Sequence, residues 1–280
     1  MKSNKIGILR IFEWTTLLLF VLGAFGPILM IIISSFKQDK DIFSYVPKLF
    51  FKPVFDNYEQ LFLERPDFFN ALLNSVIVTI GASLVIILLC IPAAYAYSRL
   101  YSKKFKLTSF YVILVRMFPP IIVMVPLYPI IRNLALNDTY FILIILYATF
   151  EISISTMLLK AFLDDIPKEL DEQACIDGCN RFTAFIYIIL PALAPGIIAA
   201  VVYVSVFAWN DFTFAFLVSG TATKTTPILI MEMQGLVEEG YLNWGTVFSA
   251  SFIQLIPILI FIFLLQQKLV KGFTLGAVKG

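Results

Sequence analysis

The sequence contains no histidine. The commonest metal ligand and the commonest general base are therefore both missing, which argues against metal-assisted and histidine-based chemistry. Charge is scarce as well. Only 14% of the 280 residues are Asp, Glu, Lys or Arg, against roughly 25% in soluble domains. The net charge is +2 and there is no polybasic tail, so nothing marks a nucleic-acid partner. Three cysteines (Cys90, Cys175 and Cys179) make no disulfide framework. Cys175 and Cys179 form a C-x3-C pair with no His and no further Cys nearby. No zinc site is expected there, and in a reducing compartment the thiols should be free. The chain also lacks an internal repeat at fixed spacing, which weakens the inverted-repeat architecture of many secondary transporters.

What is abundant is apolar. Hydrophobic residues make up 60% of the chain, and apolar runs of about 20 residues recur, long enough to cross a hydrocarbon core of about 30 Å. The expectation is an all-α integral membrane protein with six spans, at about 12–35, 71–97, 107–131, 139–163, 187–218 and 246–267. A soluble all-helical protein is the alternative that this composition disfavours. The N-terminus has a basic flank (Lys2, Lys5, Arg10) ahead of an apolar run too long for a signal-peptide core, so the first span should remain uncleaved. If the N-terminus is cytoplasmic, the inner segments hold 13 of the 21 Lys and Arg residues, while the outer ones hold only Lys37, Lys40, Lys48, Lys52, Arg65, Arg132 and Lys224. The positive-inside rule then places both termini in the cytoplasm. Two outer segments, about 36–70 and 219–245, are long enough to fold.

Between the fourth and fifth spans lies a polar stretch, Glu169 to Phe182, reading ELDEQACIDGCNRF. Pro167 suits a first helical position. Glu169, Asp171 and Glu172 follow where acidic groups complement the helix dipole. Leu170, Ala174 and Cys175 form a small apolar stripe, and Gly178 supplies the turn that ends the helix. The bland alternative is a solvated connecting loop.

Here the residues resemble a family. Cytoplasmic loops of ABC importer permeases read E-A-A, three residues, G, and later I-x-L-P. This chain has Glu172-Gln173-Ala174, then Cys175-Ile176-Asp177, Gly178, and later Ile188-Ile189-Leu190-Pro191. It departs at Gln173, and Cys175 and Cys179 stand where small residues are usual. "NYEQLF", "NALLNSVIVT", "AWNDF" and the C-terminal "LVKGFTLGAVKG" resemble the shorter, second permease subunit of maltose-type carbohydrate importers, over essentially the whole chain.

The resemblance implies a single permease domain without chemistry of its own, in a bacterial cell membrane. Its coupling loop would be 165–182, with Glu172, Gln173, Ala174, Asp177 and Gly178 docking on a cytoplasmic ATPase. Its C-terminal tail, 268–280, would be an extended segment reaching toward the ATPases, with Gly276 and Gly280 flanking Lys279. It implies a second homologous permease, two ATPase subunits that hold ATP and Mg, and an external sugar-binding protein; the expected cargo is an oligosaccharide. No cofactor belongs to this chain. "GTATKTT" at Gly220–Thr226 is the nearest approach to a P-loop, but it lacks the second glycine and follows a span rather than a strand.

Two groups of polar residues fall at membrane depth, where such residues are functional candidates by default. Arg116 and Glu151 lie near mid-depth on adjacent spans. Either they pair to hold two helices together, or one lines the path. Trp209, Asn210 and Asp211 could present a sugar with a stacking face and polar partners, or could form a cap at a kink. Pro119, Pro120, Pro126, Pro129, Pro191 and Pro195 interrupt the third and fifth spans. Glu232, Glu238, Glu239 and Trp244 are candidates to face the binding protein. A membrane-embedded glycosyl or lipid transferase, or a secondary transporter, remains the alternative. The first is opposed by the missing histidines and carboxylate pairs; the second has no need of the Glu172–Gly178 loop.

Overall fold

A computed structural model describes residues 2–48, 50–100 and 103–277. Among these there is no strand. The helices are α1 (Lys2–Ser35), α2 (Asp39–Ile42), α3 (Asp56–Glu64), α4 (Phe68–Arg99), α5 (Lys103–Arg116), α6 (Pro120–Asn133), α7 (Tyr140–Asp164) and α8 (Glu169–Ile176). Then come α9 (Arg181–Ala184), a π-helical turn (Phe185–Ile189), α10 (Leu190–Ala192), α11 (Ala194–Asn210), α12 (Thr213–Val218), α13 (Thr226–Glu238) and α14 (Trp244–Ala277).

Four apolar stretches are each long enough to cross a membrane unaided: Phe12–Ser35, Phe68–Arg99, Tyr140–Asp164 and Trp244–Leu265. Two bent pairs bring the possible number to six: Leu107–Arg116 with Pro120–Asn133, bent by 88°, and Arg181–Ala192 with Ala194–Asn210, bent by 69°. The third and fifth spans, expected at 107–131 and 187–218 with proline interruptions, are thus bent helix pairs, and the proline positions give the reason. A residue before proline is driven out of the helical region. Pro119 duly has an extended backbone (φ −57°, ψ 135°), and Pro120 opens α6. In the fifth span the turn before Pro191 relaxes into a π-helix, which accommodates a residue with no N–H to give. The chain bends again at Leu193, Pro195 enters the first turn of α11, and α11 stops at Asn210, so residues 213–218 form a helix of their own. α14 runs on through Ala277. The expected extended tail is thus helical as far as it is described, and Lys279 and Gly280 lie outside the described residues.

The chain divides into two compact units, residues 1–68 with 230–256 and residues 69–229 with 257–280. In the first, Asn57 of α3 donates to the carbonyls of Ser35 and Lys37, both at 2.8 Å, and pins the end of α1. The Asp39 carboxylate accepts the N–H groups of Trp244 and Gly245 at the start of α14. Arg65 bonds Asp67 at 2.8 Å and reaches Glu232 at 3.3 Å. The described part of the segment 36–70, expected to be an outer one, therefore folds with helices α2 and α3.

The second unit carries two apolar clusters. One gathers Val78, Met124, Leu143, Tyr147, Phe214 and Val218. The other gathers Ile86, Cys90, Leu159, Leu163, Ile189 and Val204. Close packing of α11 on α7 needs Gly196, because a Cβ there would come within 2.7 Å of Phe162 Cβ and Cγ.

Candidate functional site

The loop between α7 and α9 folds as a short helix. Pro167 stands two residues ahead of it rather than at its first position. Its carbonyl accepts the Leu170 N–H, and Lys168 is the N-cap. Glu169, Asp171 and Glu172 occupy the first turn as expected. At the other end Gly178 has φ +90°, a conformation that costs residues with a Cβ. Its N–H bonds the Cys175 carbonyl and that of Cys179 bonds the Ala174 carbonyl. That pair of bonds is a complete Schellman closure.

The expected apolar stripe lies mostly at the surface of the chain. Ala174 is the one buried residue of α8, whereas Leu170 and Cys175 are exposed. Glu172, Gln173, Asp177 and Gly178 are exposed too. Ile176 is 84% exposed, and Phe182 and Tyr187 beyond the turn are similarly open, at 71% and 75%. Nothing within 4 Å would meet a Cβ at Gly178, so this chain leaves room beside the turn. No group of His, Cys, Asp and Glu among the described residues could hold a metal.

Sequence reasoning missed what anchors this helix. Arg99, the last residue of α4, donates from Nε to Asp171 Oδ2 at 2.8 Å and from Nη2 to the Ile166 carbonyl at 2.9 Å. Tyr95 Oη donates to Asp171 Oδ1 at 3.0 Å. Together with Lys168, Glu172 and Arg181 these residues line a cavity of about 690 Å³. Tyr95 and Arg99 are four positions apart and so share a face of α4, but a partner more than 70 residues away leaves no local signal.

Within the spans, Arg116 and Glu151 do pair. Arg116 Nη1 lies 2.7 Å from Glu151 Oε1 and 3.1 Å from the Phe150 carbonyl. Its guanidinium carbon sits 3.9 Å from the centre of the Phe150 ring. Glu151 is fully buried and the Arg116 side chain is 22% exposed. The pair therefore joins the end of α5, just before the 88° bend, to α7.

Trp209, Asn210 and Asp211 turn in different directions. Asp211 is buried and its carboxylate, one residue ahead of the N-cap Phe212, accepts the N–H groups of Phe214 and Ala215 and so caps the first turn of α12. Exposed Asn210 donates back to the Val206 carbonyl. Buried Trp209 lines a cavity of about 370 Å³ among α4, α11 and α14, where the polar side chains are Thr79, Ser83 and Ser205. Of the two readings of this trio, the geometry of Asp211 is that of a cap at a kink.

The loop that resembled a P-loop is already filled from within. Asp138, at φ +58°, accepts N–H bonds from Gly220, Ala222 and Thr223 at 2.8–3.0 Å, and a hydroxyl bond from Thr223 at 2.7 Å. Amides of the kind that could cradle a phosphate hold a carboxylate instead. Burial works against ionisation of Asp138, but the bonds from Ala222, Thr223 and Gly220 outweigh it and hold its pKa below the ordinary value. Asn74 completes the clasp by donating to the carbonyls of Ala222 and Lys224.

Residues 86–275 match the family model described as the binding-protein-dependent transport system inner membrane component. The chain belongs to that family. Its family marks it as a transport subunit rather than an enzyme. Among the relatives of this family member is a trehalose transport system permease protein of Mycobacterium tuberculosis, 36% identical over 98% of this chain and 100% of its own length. A trehalose/maltose transport system permease protein of Thermococcus litoralis is 34% identical over 91% of each chain. A sulfoquinovosyl glycerol transport system permease protein of Agrobacterium fabrum is 33% identical over 94% of this chain and 91% of its own. In structure, a chain of a bacterial ABC transporter that imports the acidic polysaccharide alginate superposes with a TM-score of 0.75, covering 96% of this chain and 98% of that one at 20% identity.

Proposed function

We propose that this chain is a permease subunit of an ATP-driven importer for a carbohydrate, and that α8 is the handle by which a cytoplasmic ATPase moves the spans. The observation that carries the second half is the exposure of Leu170, Ile176 and Phe182 beside the carboxylates of Glu172 and Asp177. This is a loop with only one side chain buried in its own helix, closed by a turn that needs Gly178. The first half is supported by the relatives named for trehalose, maltose and sulfoquinovosyl glycerol, which match along nearly their whole length.

On this reading both termini and α8 lie in the cytoplasm, as the asymmetry of Lys and Arg favours. ATP and Mg are bound by two ATPase subunits, a second permease completes the path, and an external binding protein delivers the sugar. A solved transporter that superposes on this chain with a TM-score of 0.67 was crystallised with a pentasaccharide-bound periplasmic protein. The folded segment 36–70 and the acidic stretch around Glu238 and Glu239 are the surfaces offered to such a partner. The membrane is that of a bacterial cell.

Affinity purification of the full chain from native membranes in mild detergent tests this reading. An ATPase subunit and a second permease should copurify. A chain that purifies without an ATPase would overturn the proposal.

A further inference from the structure

We propose that Arg99 and Tyr95 are positioning residues that make α8 and α4 move as one body, so that force on α8 reaches the spans through Asp171. The inference rests on the reading of α8 as the ATPase handle, and it adds a route for the motion.

An eight-residue helix is marginal alone. Apolar packing cannot hold α8 either, because Ala174 is its one buried residue. At its C-terminal end Gly178 turns the chain through a left-handed conformation with open space around it. α8 lies against α9 and the π-helical turn that follow it in the chain, and the side-chain bonds that tie it to the preceding spans converge on the end of α4. Both oxygens of Asp171 are occupied, one by Arg99 Nε and the other by Tyr95 Oη. The remaining donors of Arg99 hold the exit from α7: Nη2 bonds the Ile166 carbonyl, and Nη1 bonds Ser98 Oγ at 3.1 Å, which itself donates to Asp164 at 2.7 Å. Lys160 pairs with that same Asp164. The Tyr95 ring packs 4.8 Å from that of Phe185, in the π-helical turn that opens the fifth span.

One face of α4 thus grips the end of α7, the handle, and the entrance to the fifth span. The Arg99 side chain is 7% exposed and that of Asp171 19%. Bonds shielded to this degree are weakened little by salt. A planar fork that reaches a carboxylate and a carbonyl at once fixes direction as well as distance, which a lysine ammonium does not. A handle fixed in direction transmits rotation, whereas without these bonds α8 would rest only on α9 and the π-helical turn and could shift against α4.

The exposed thiol of Cys175 gives a direct probe. In the full chain with Cys179→Ser, a spin label at Cys175 in native membrane nanodiscs should report a slow, ordered component. Arg99→Met should convert it to a mobile one, Arg99→Lys should do so in part, and the charge-reversed pair Arg99→Asp with Asp171→Arg should restore order. Unchanged label mobility in Arg99→Met would overturn the tether, whatever the ATPase does.

In the assembled transporter, Arg99→Met should retain the ATPase subunit and hydrolyse ATP. Sugar taken up per ATP should fall about tenfold or more, the weight of one charge-assisted hydrogen bond. An unchanged ratio would also overturn the tether. Tyr95→Phe removes one hydroxyl while keeping the ring against Phe185, so it should fold as wild type and give a smaller loss in the same ratio. A wild-type chain that recruits no ATPase would instead refute the handle reading, and the nanodisc spectra keep that failure separate from failure of the tether.

Discussion

Loss of either member of the Arg116–Glu151 pair should cost far more than loss of both. The two charges are 2.7 Å apart, and Glu151 is fully buried. At an effective dielectric constant of about 20, Coulomb attraction at that distance is about 6 kcal/mol. Desolvation of the two ions, several kcal/mol each, offsets most of it. The net value of the pair is therefore small, while a lone buried charge retains the penalty without the compensation, about 3–5 kcal/mol. Arg116→Met should accordingly destabilise by about 3 kcal/mol or more. It also removes the cation from the face of Phe150, worth about 0.5–2 kcal/mol. Glu151→Met should cost a similar amount by stranding the guanidinium. The double variant Arg116→Met, Glu151→Met should lie within about 1.5 kcal/mol of wild type, since well-packed apolar residues often replace a buried pair at little cost. The assay is reversible unfolding of the purified chain in mixed micelles, read as a double-mutant cycle. Additive single effects would refute the reasoning. Transport by the double variant separates the two roles: sugar uptake near wild type means the pair holds α5 to α7, and loss of uptake with retained stability means that one of them serves the path.

Asp138→Ala should leave the amides of Gly220, Ala222 and Thr223 without their acceptor and lower stability by about 1.5–3 kcal/mol. Because the folded pKa of Asp138 lies below its ordinary value of 3.8, its contribution is complete above that value and disappears as the pH falls through the lower folded one. Thermal melts of wild type should therefore lose more stability on acidification below about pH 4 than those of Asp138→Ala. Parallel curves would count against this account of the clasp. Gly196→Val should separate α11 from α7, because its Cβ would press on the root of Phe162, which cannot swing away as a side-chain tip could. A cost of about 1–3 kcal/mol is expected for such overpacking, and an unchanged melting temperature would contradict it.

How far the sequence reaches differs from element to element. Apolar runs announce the spans, because the bilayer demands about 20 apolar residues whatever the tertiary fold. Gly178 and the acidic turn before it were legible for a similar reason, since a helix end imposes local chemistry that local residues answer. The break at Pro119–Pro120 was visible as proline, but its 88° angle depends on packing around it. Spacing tells which residues share a face, as Leu170, Ala174 and Cys175 do, and not what that face meets; of the three only Ala174 is buried within the chain. Contacts such as Asp171 with Arg99, or Asp138 with the loop at Gly220, join residues 72 and 82 positions apart and leave no periodic trace. Asp211 was selected for chemistry that a helix cap also requires, and the cap is what the fold makes of it.

The claim that α8 is moved by another protein's ATP cycle is tested most directly at Gly178. Gly178→Asn tolerates the left-handed turn, whereas Gly178→Leu pays about 1–2 kcal/mol of backbone strain and places a bulky group on the exposed surface. Space beside the residue is open, so both should fold and insert. The measurement is ATP-driven uptake of radiolabelled sugar by proteoliposomes containing the whole transporter and its binding protein, with ATP hydrolysis followed in parallel. The account expects Gly178→Leu to lose most uptake while hydrolysis by the ATPase continues or the ATPase detaches, and Gly178→Asn to retain substantially more. Full, ATP-coupled uptake by Gly178→Leu would contradict it.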